Sequence, residues 1–93
     1  MASVSKHLKI TGRVQGVGFR YFTRKNADLL NLTGWVRNMP DGSVEVFIYG
    51  DEDSVDKMEE RLWSGPGSAF VSEIIQVKSD ERGSHYSDFT VLR

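Results

Sequence analysis

The chain has 93 residues, 39% of them hydrophobic, a formal net charge of −1 and no cysteine. That length suits one ordinary domain, expected over residues 1–93, which buries ~60% to ~70% of its unfolded surface and needs no staples. The absence of cysteine excludes a disulfide framework, a thiolate nucleophile and any Cys-ligated metal site.

In chain order, the N-terminal MASVSKHLKI lacks the apolar h-region of a signal peptide, and no later run approaches the ~20 apolar residues of a membrane span. A cytoplasmic protein without membrane contact is expected. From Lys6 to Gly12, Leu8 and Ile10 alternate with polar neighbours, the pattern of a first strand. From Gly18 the period lengthens. Phe19, Phe22, Asn26, Leu29 and Leu30 recur at helical spacing with Tyr21, Arg24, Lys25 and Asp28 opposite, which predicts an amphipathic helix to about Asn31. Thr33 to Asn38 reads as a second strand and Met39-Pro40-Asp41-Gly42 as a tight turn. Val44, Val46 and Ile48 then share one face of a third strand that stops at Gly50. Val55, Met58 and Leu62, with acids crowding the first turn and Gly65-Pro66 as a stop, describe a second helix. Phe70 to Lys78 is a fourth strand, DERGSHYS a polar loop, and Phe89 to Leu92 a short closing strand.

This β-α-β-β-α-β order predicts a ferredoxin-like α+β sandwich, an antiparallel sheet with two helices on one face and a short extra C-terminal strand. Right-handed crossovers make the first two strands parallel, with the third between them, so both end at one edge about 10 Å apart. The first strand runs out into GRVQGVG and the second stops at Asn38. The first helix points its free N–H groups at that same edge.

A glycine-rich loop between a strand and a helix can turn its amides inward and, with the helix dipole behind them, cradle phosphate. Arg20 would add a fork of donors matched to two phosphate oxygens. The same glycines equally allow a tight turn with Arg20 merely solvated. The loop is no Walker A, because no Gly-Lys-Ser/Thr follows, and no dinucleotide fingerprint, because Tyr21 stands at the third glycine. Asn38 can hold a water by donating and accepting at once, or simply form a turn. His7 and His85 lie far apart in sequence, which suits neither a general base nor a ligand pair. The acids from Asp51 to Glu60 lack the spacing of a calcium loop and read as a solvated helix face. Trp35, Trp63, Phe47 and Tyr49 could stack on bases but suit core or sheet cover equally. Residues 1–38 carry seven basic side chains against one acidic, and residues 39–93 five against twelve, so the halves stand at +6 and −7. That asymmetry fits an anion-binding face or two halves that attract each other.

ITGRVQGVGFR (Ile10 to Arg20) and GWVRNMPDGSVEVFIYG (Gly34 to Gly50) resemble the two signature segments of the acylphosphatase family. The first matches at Gly12, Val14, Gln15, Gly16, Val17, Phe19 and Arg20, the second at Gly34, Trp35, Val36, Asn38, Gly42, Val44 and Gly50. The resemblance implies hydrolysis of the carboxyl-phosphate bond of acyl phosphates to a carboxylate and inorganic phosphate, with no cofactor and no metal. It also implies a catalytic pair, with Arg20 binding phosphate and Asn38 holding the attacking water. The loop amides of Gln15, Gly16, Val17, Gly18, Phe19 and Arg20 would form the phosphate site. The expected partner is a small-molecule acyl phosphate met by a monomer, with no nucleic acid; binding of nucleic acid or protein through the basic first half is the competing reading.

Overall fold

A computed structural model describes residues 2–78 and 86–92. Strands β1 (Ser3–Arg13), β2 (Thr33–Asn38), β3 (Val44–Asp51), β4 (Phe70–Gln76) and β5 (Phe89–Leu92) form one sheet. Helices α1 (Phe19–Leu29) and α2 (Glu52–Ser64) follow β1 and β3. The sheet order is β4-β1-β3-β2-β5. Because β3 lies antiparallel between β1 and β2, those two strands run the same way and end at one edge, as the element order requires. The extra strand departs from expectation: β5 pairs parallel with β2, so the sheet is mixed rather than antiparallel. The reason is directional. β4 runs against β1, hence against β2, and one further chain reversal leaves β5 parallel to β2. Most of the DERGSHYS segment, His85 included, lies outside the described residues.

The core forms where one pleat of the sheet meets the two helices. Leu8, Ile10, Val36, Val44, Val46 and Ile48 project from the strands against Phe19 and Ala27 of α1 and Val55, Met58 and Leu62 of α2. Full burial of each large side chain contributes about 1.5–3 kcal/mol. The α1 stripe is rotated from the one its apolar letters suggest. Phe19, Thr23, Asn26 and Ala27 are buried, whereas Leu29 is 65% exposed and Phe22 only half-buried. Two polar residues can occupy that stripe because each has a partner: Thr23 Oγ1 donates to the Phe19 carbonyl at 2.8 Å, and Asn26 Oδ1 accepts from Arg61 Nη1 of α2 at 2.9 Å.

α1 also stops earlier than Asn31. The Asn31 N–H bonds the Asp28 carbonyl and the Leu32 N–H the Ala27 carbonyl, the paired closure of a Schellman cap with Asn31 at φ 58°. The opposite sheet face is covered too. Phe47 and Trp35 are 1% and 4% exposed, and their rings stack at 6.3 Å. Neither offers a free face to a nucleic-acid base, which removes the stacking platform those two residues allowed.

Candidate phosphate-binding cleft

β1 and β4 approach so closely at Gly12 that a Cβ there would lie 2.2 Å from the Phe70 carbonyl oxygen. The ladder register shifts between Thr11 and Gly12, a bulge that bends the strand's end toward the loop. Val14 then anchors in the core and the chain turns through Gly16 and Gly18, at φ 73° and 78°. Both positions face open space, with nothing within 4 Å of a built Cβ. Gly18 is the N-cap of α1, and its carbonyl accepts the Phe22 N–H at 3.0 Å. The free N–H groups of the helix's first turn therefore point toward the loop.

Gln15 plays a part its position in the loop did not announce. Its Nε2 donates to the carbonyls of both Met39 and Ser43 at 2.8 Å, so the side chain sutures the loop to the turn between β2 and β3. That turn is itself braced. Met39 N–H bonds the Ser43 carbonyl at 2.8 Å, Asp41 accepts from the Ser43 hydroxyl at 2.5 Å, and Lys9 of β1 pairs with Asp41 at 2.9 Å. Lys9, foremost, and the Ser43 donors hold the Asp41 carboxyl well below the usual carboxylate range. Asn38 immediately precedes this turn, so the suture fixes its distance from the loop.

Alternation along β2 puts Asn38 on the same pleat as Val36, the pleat covered by the helices. It lines a cleft of about 1000 Å³ together with Val14, Gly16, Gly18, Phe19 and Arg20. Asp88 and the following β5 residues Phe89 to Val91 supply the facing wall, a role the sequence did not signal. Arg20 Nη1 donates to the Leu92 carbonyl at 3.3 Å. Leu92 pairs with Arg37, Asn38's neighbour, so the guanidinium is parked against the strand end that carries Asn38. Of the expected loop residues, Gly16, Gly18, Phe19 and Arg20 line the cleft. Val17 packs against the core, and the Gln15 side chain is spent on the turn, leaving both to contribute main-chain groups. Tyr21 and Arg24 line the cleft as well; the spacing of Arg24, four residues after Arg20, was the only signal for it.

Among the described residues, His7 lies away from this cleft and the acidic side chains do not gather in it. His7 sits on the far sheet face, its Nε2 2.8 Å from Glu45 Oε1 and its ring edge-on to Trp35 at 5.2 Å. Among the described residues no three His, Asp or Glu side chains gather as a metal site, and no helix is long and apolar enough to cross a membrane.

The acylphosphatase family model matches residues 6–91. The chain is 51% identical over 74 residues to an acylphosphatase of Pseudomonas aeruginosa, covering 80% of this chain and 81% of that protein. Its fold superposes on the crystal structure of acylphosphatase from Bacillus subtilis with a TM-score of 0.89 at 33% identity, over 99% of this chain and all of that one (100%). For an acylphosphatase from Coxiella burnetii the TM-score is 0.84 at 40% identity, over 97% and 93% of the two chains.

Proposed function

The chain belongs to the acylphosphatase family and is a hydrolase of acid anhydrides, and we propose that water attacks its acyl phosphate substrates directly, without a metal or a covalent phosphoenzyme, in the cleft that Arg20 and Asn38 share. The bond between phosphorus and the acyl oxygen breaks as the water oxygen bonds to phosphorus. A carboxylate leaves with the bonding electrons, and inorganic phosphate and solvent keep the water's protons. The leaving group's parent acid has a pKa near ~4, so departure requires no general acid. This is consistent with a cleft whose lining includes neither His7 nor any other described histidine.

A phosphoryl group in a loose transition state mainly needs positioning and charge neutralisation. In this reading the loop amides from Gln15 to Arg20 and the first turn of α1 surround its oxygens. Arg20 gives up the Leu92 carbonyl, a single neutral acceptor, for two anionic oxygens, the stronger bonds. Asn38, on the β2 side, orients the water by donating and accepting through one amide. The substrate phosphate can itself help to deprotonate that water. The observation that supports the reading most is the convergence of Arg20, Asn38 and the two open glycines on one cleft. In this reading one copy of the chain suffices for the reaction, since every group invoked comes from a single chain.

The purified protein is expected to hydrolyse acetyl phosphate and benzoyl phosphate in EDTA, with inorganic phosphate competing and a short RNA not. No turnover of either substrate sinks the proposal, and tight, salt-dependent RNA binding would favour the nucleic-acid reading instead.

A further inference from the structure

The acyl half of the substrate also has a recognisable place, on the premise that the cleft handles acyl phosphates as proposed above. At about 1000 Å³ the cleft stands at the top of the ~300–1,000 Å³ range of small-molecule sites, and a phosphate fills little of it. In-line displacement puts the leaving carboxylate across phosphorus from the attacking water. With the water held by Asn38 at the end of β2, the acyl chain extends away from β2 and along the first turns of α1. Tyr21 and Arg24 line the cleft there and continue into an adjoining hollow with Lys25, Asp28 and Leu29.

Arg24 lies ~6 Å further along the helix axis than Arg20, on the same side. Among the described residues its nearest acid is Asp28, at 3.9 Å with both side chains more than half exposed. That contact is longer than a hydrogen bond and leaves most of the five guanidinium donors for another partner. The facing wall has the opposite sign: Asp88, which accepts from Thr90 Oγ1 at 3.2 Å, repels an anion from β5. We infer that Arg24, with Tyr21 beside it, forms an acyl-recognition subsite that favours acyl phosphates carrying a second anionic group, such as the mono-acyl phosphate of a dicarboxylic acid, and that Asp88 steers that group toward α1. The distal carboxylate takes the guanidinium fork while the phosphate keeps Arg20.

The test compares kcat/KM for succinyl phosphate and acetyl phosphate in the wild type, Arg24→Gln and Asp88→Asn. The succinyl-to-acetyl ratio should fall about threefold to tenfold in Arg24→Gln and rise in Asp88→Asn. A merely structural effect lowers both substrates together; an unmoved ratio in Arg24→Gln overturns the subsite. If the wild type hydrolyses neither substrate, the acylphosphatase reading fails, and the subsite is read by binding instead. The probes are ketone phosphonates in which a methylene replaces the bridging oxygen of each substrate, followed by titration calorimetry. Tighter binding of the succinyl analogue, lost in Arg24→Gln, upholds the subsite, and equal binding of the two analogues overturns it.

Discussion

Arg20 and Asn38 differ in charge, and that difference separates their roles. A guanidinium attracts phosphate in the ground state and the transition state alike, so Arg20→Ala should raise the inhibition constant of inorganic phosphate as well as lower kcat. Asn38 is neutral and aims a water that matters only when the bond is made. Asn38→Ala should therefore leave phosphate inhibition near the wild-type value while kcat falls roughly 10²- to 10³-fold, the cost of losing one positioned polar group. Steady-state kinetics with phosphate as inhibitor separates the two, and equal losses of phosphate affinity in both variants would contradict the division. The Gln15 side chain belongs to neither role. Its amide satisfies two turn carbonyls, a long-range partnership across the fold that a local loop pattern cannot announce.

At the scale of elements, the glycines of GRVQGVG divide by what surrounds them. Gly12 is required by packing, because Phe70 and Ser72 of β4 leave no space for a Cβ. Gly16 and Gly18 are required by left-handed backbone at an open hollow. Gly12→Ala should consequently lower stability by more than about 2 kcal/mol, read as a lower urea midpoint at constant slope; an unchanged midpoint would contradict the close approach. Gly16→Ala should cost about 1–2 kcal/mol for the backbone alone and lose activity beyond that by narrowing the hollow. Most of this frame was legible in local signals. Alternation in β3, the Val55, Met58 and Leu62 stripe and the order of elements were enough to bring Asn38 and the loop to one edge. What escaped depended on partners distant in sequence. The α1 stripe is turned because Arg61 stabilises a buried Asn26, and β5 became a wall of the cleft because its direction is set by the whole sheet.

Over the whole molecule, the +6 and −7 halves meet as complementary surfaces. Lys6 of β1 pairs with Glu59 of α2 at 2.7 Å and Lys9 with Asp41 at 2.9 Å, each a first-half base on a second-half acid. Part of the charge asymmetry is thereby spent on folding, while Arg20 and Arg24 remain at the cleft. The Lys9–Asp41 pair joins β1 to the turn that follows Asn38, so it links stability to pH in a defined direction. Asp41's carboxyl is held below its ordinary value of 3.8. Its stabilising contribution is present above that value and is lost as the pH falls through it toward the depressed folded value. Lys9 is raised above 10.5, chiefly by its hydrogen bond to Asp41, so the same pair is lost again as the pH climbs past that value. Asp41→Asn should therefore have a lower urea midpoint than the wild type across a plateau from about pH 5 to about pH 9, with the gap closing at both ends. A gap of constant size from acid to alkali would show that the variant is weakened through its turn geometry, through Ser43 alone, and not through the ion pair.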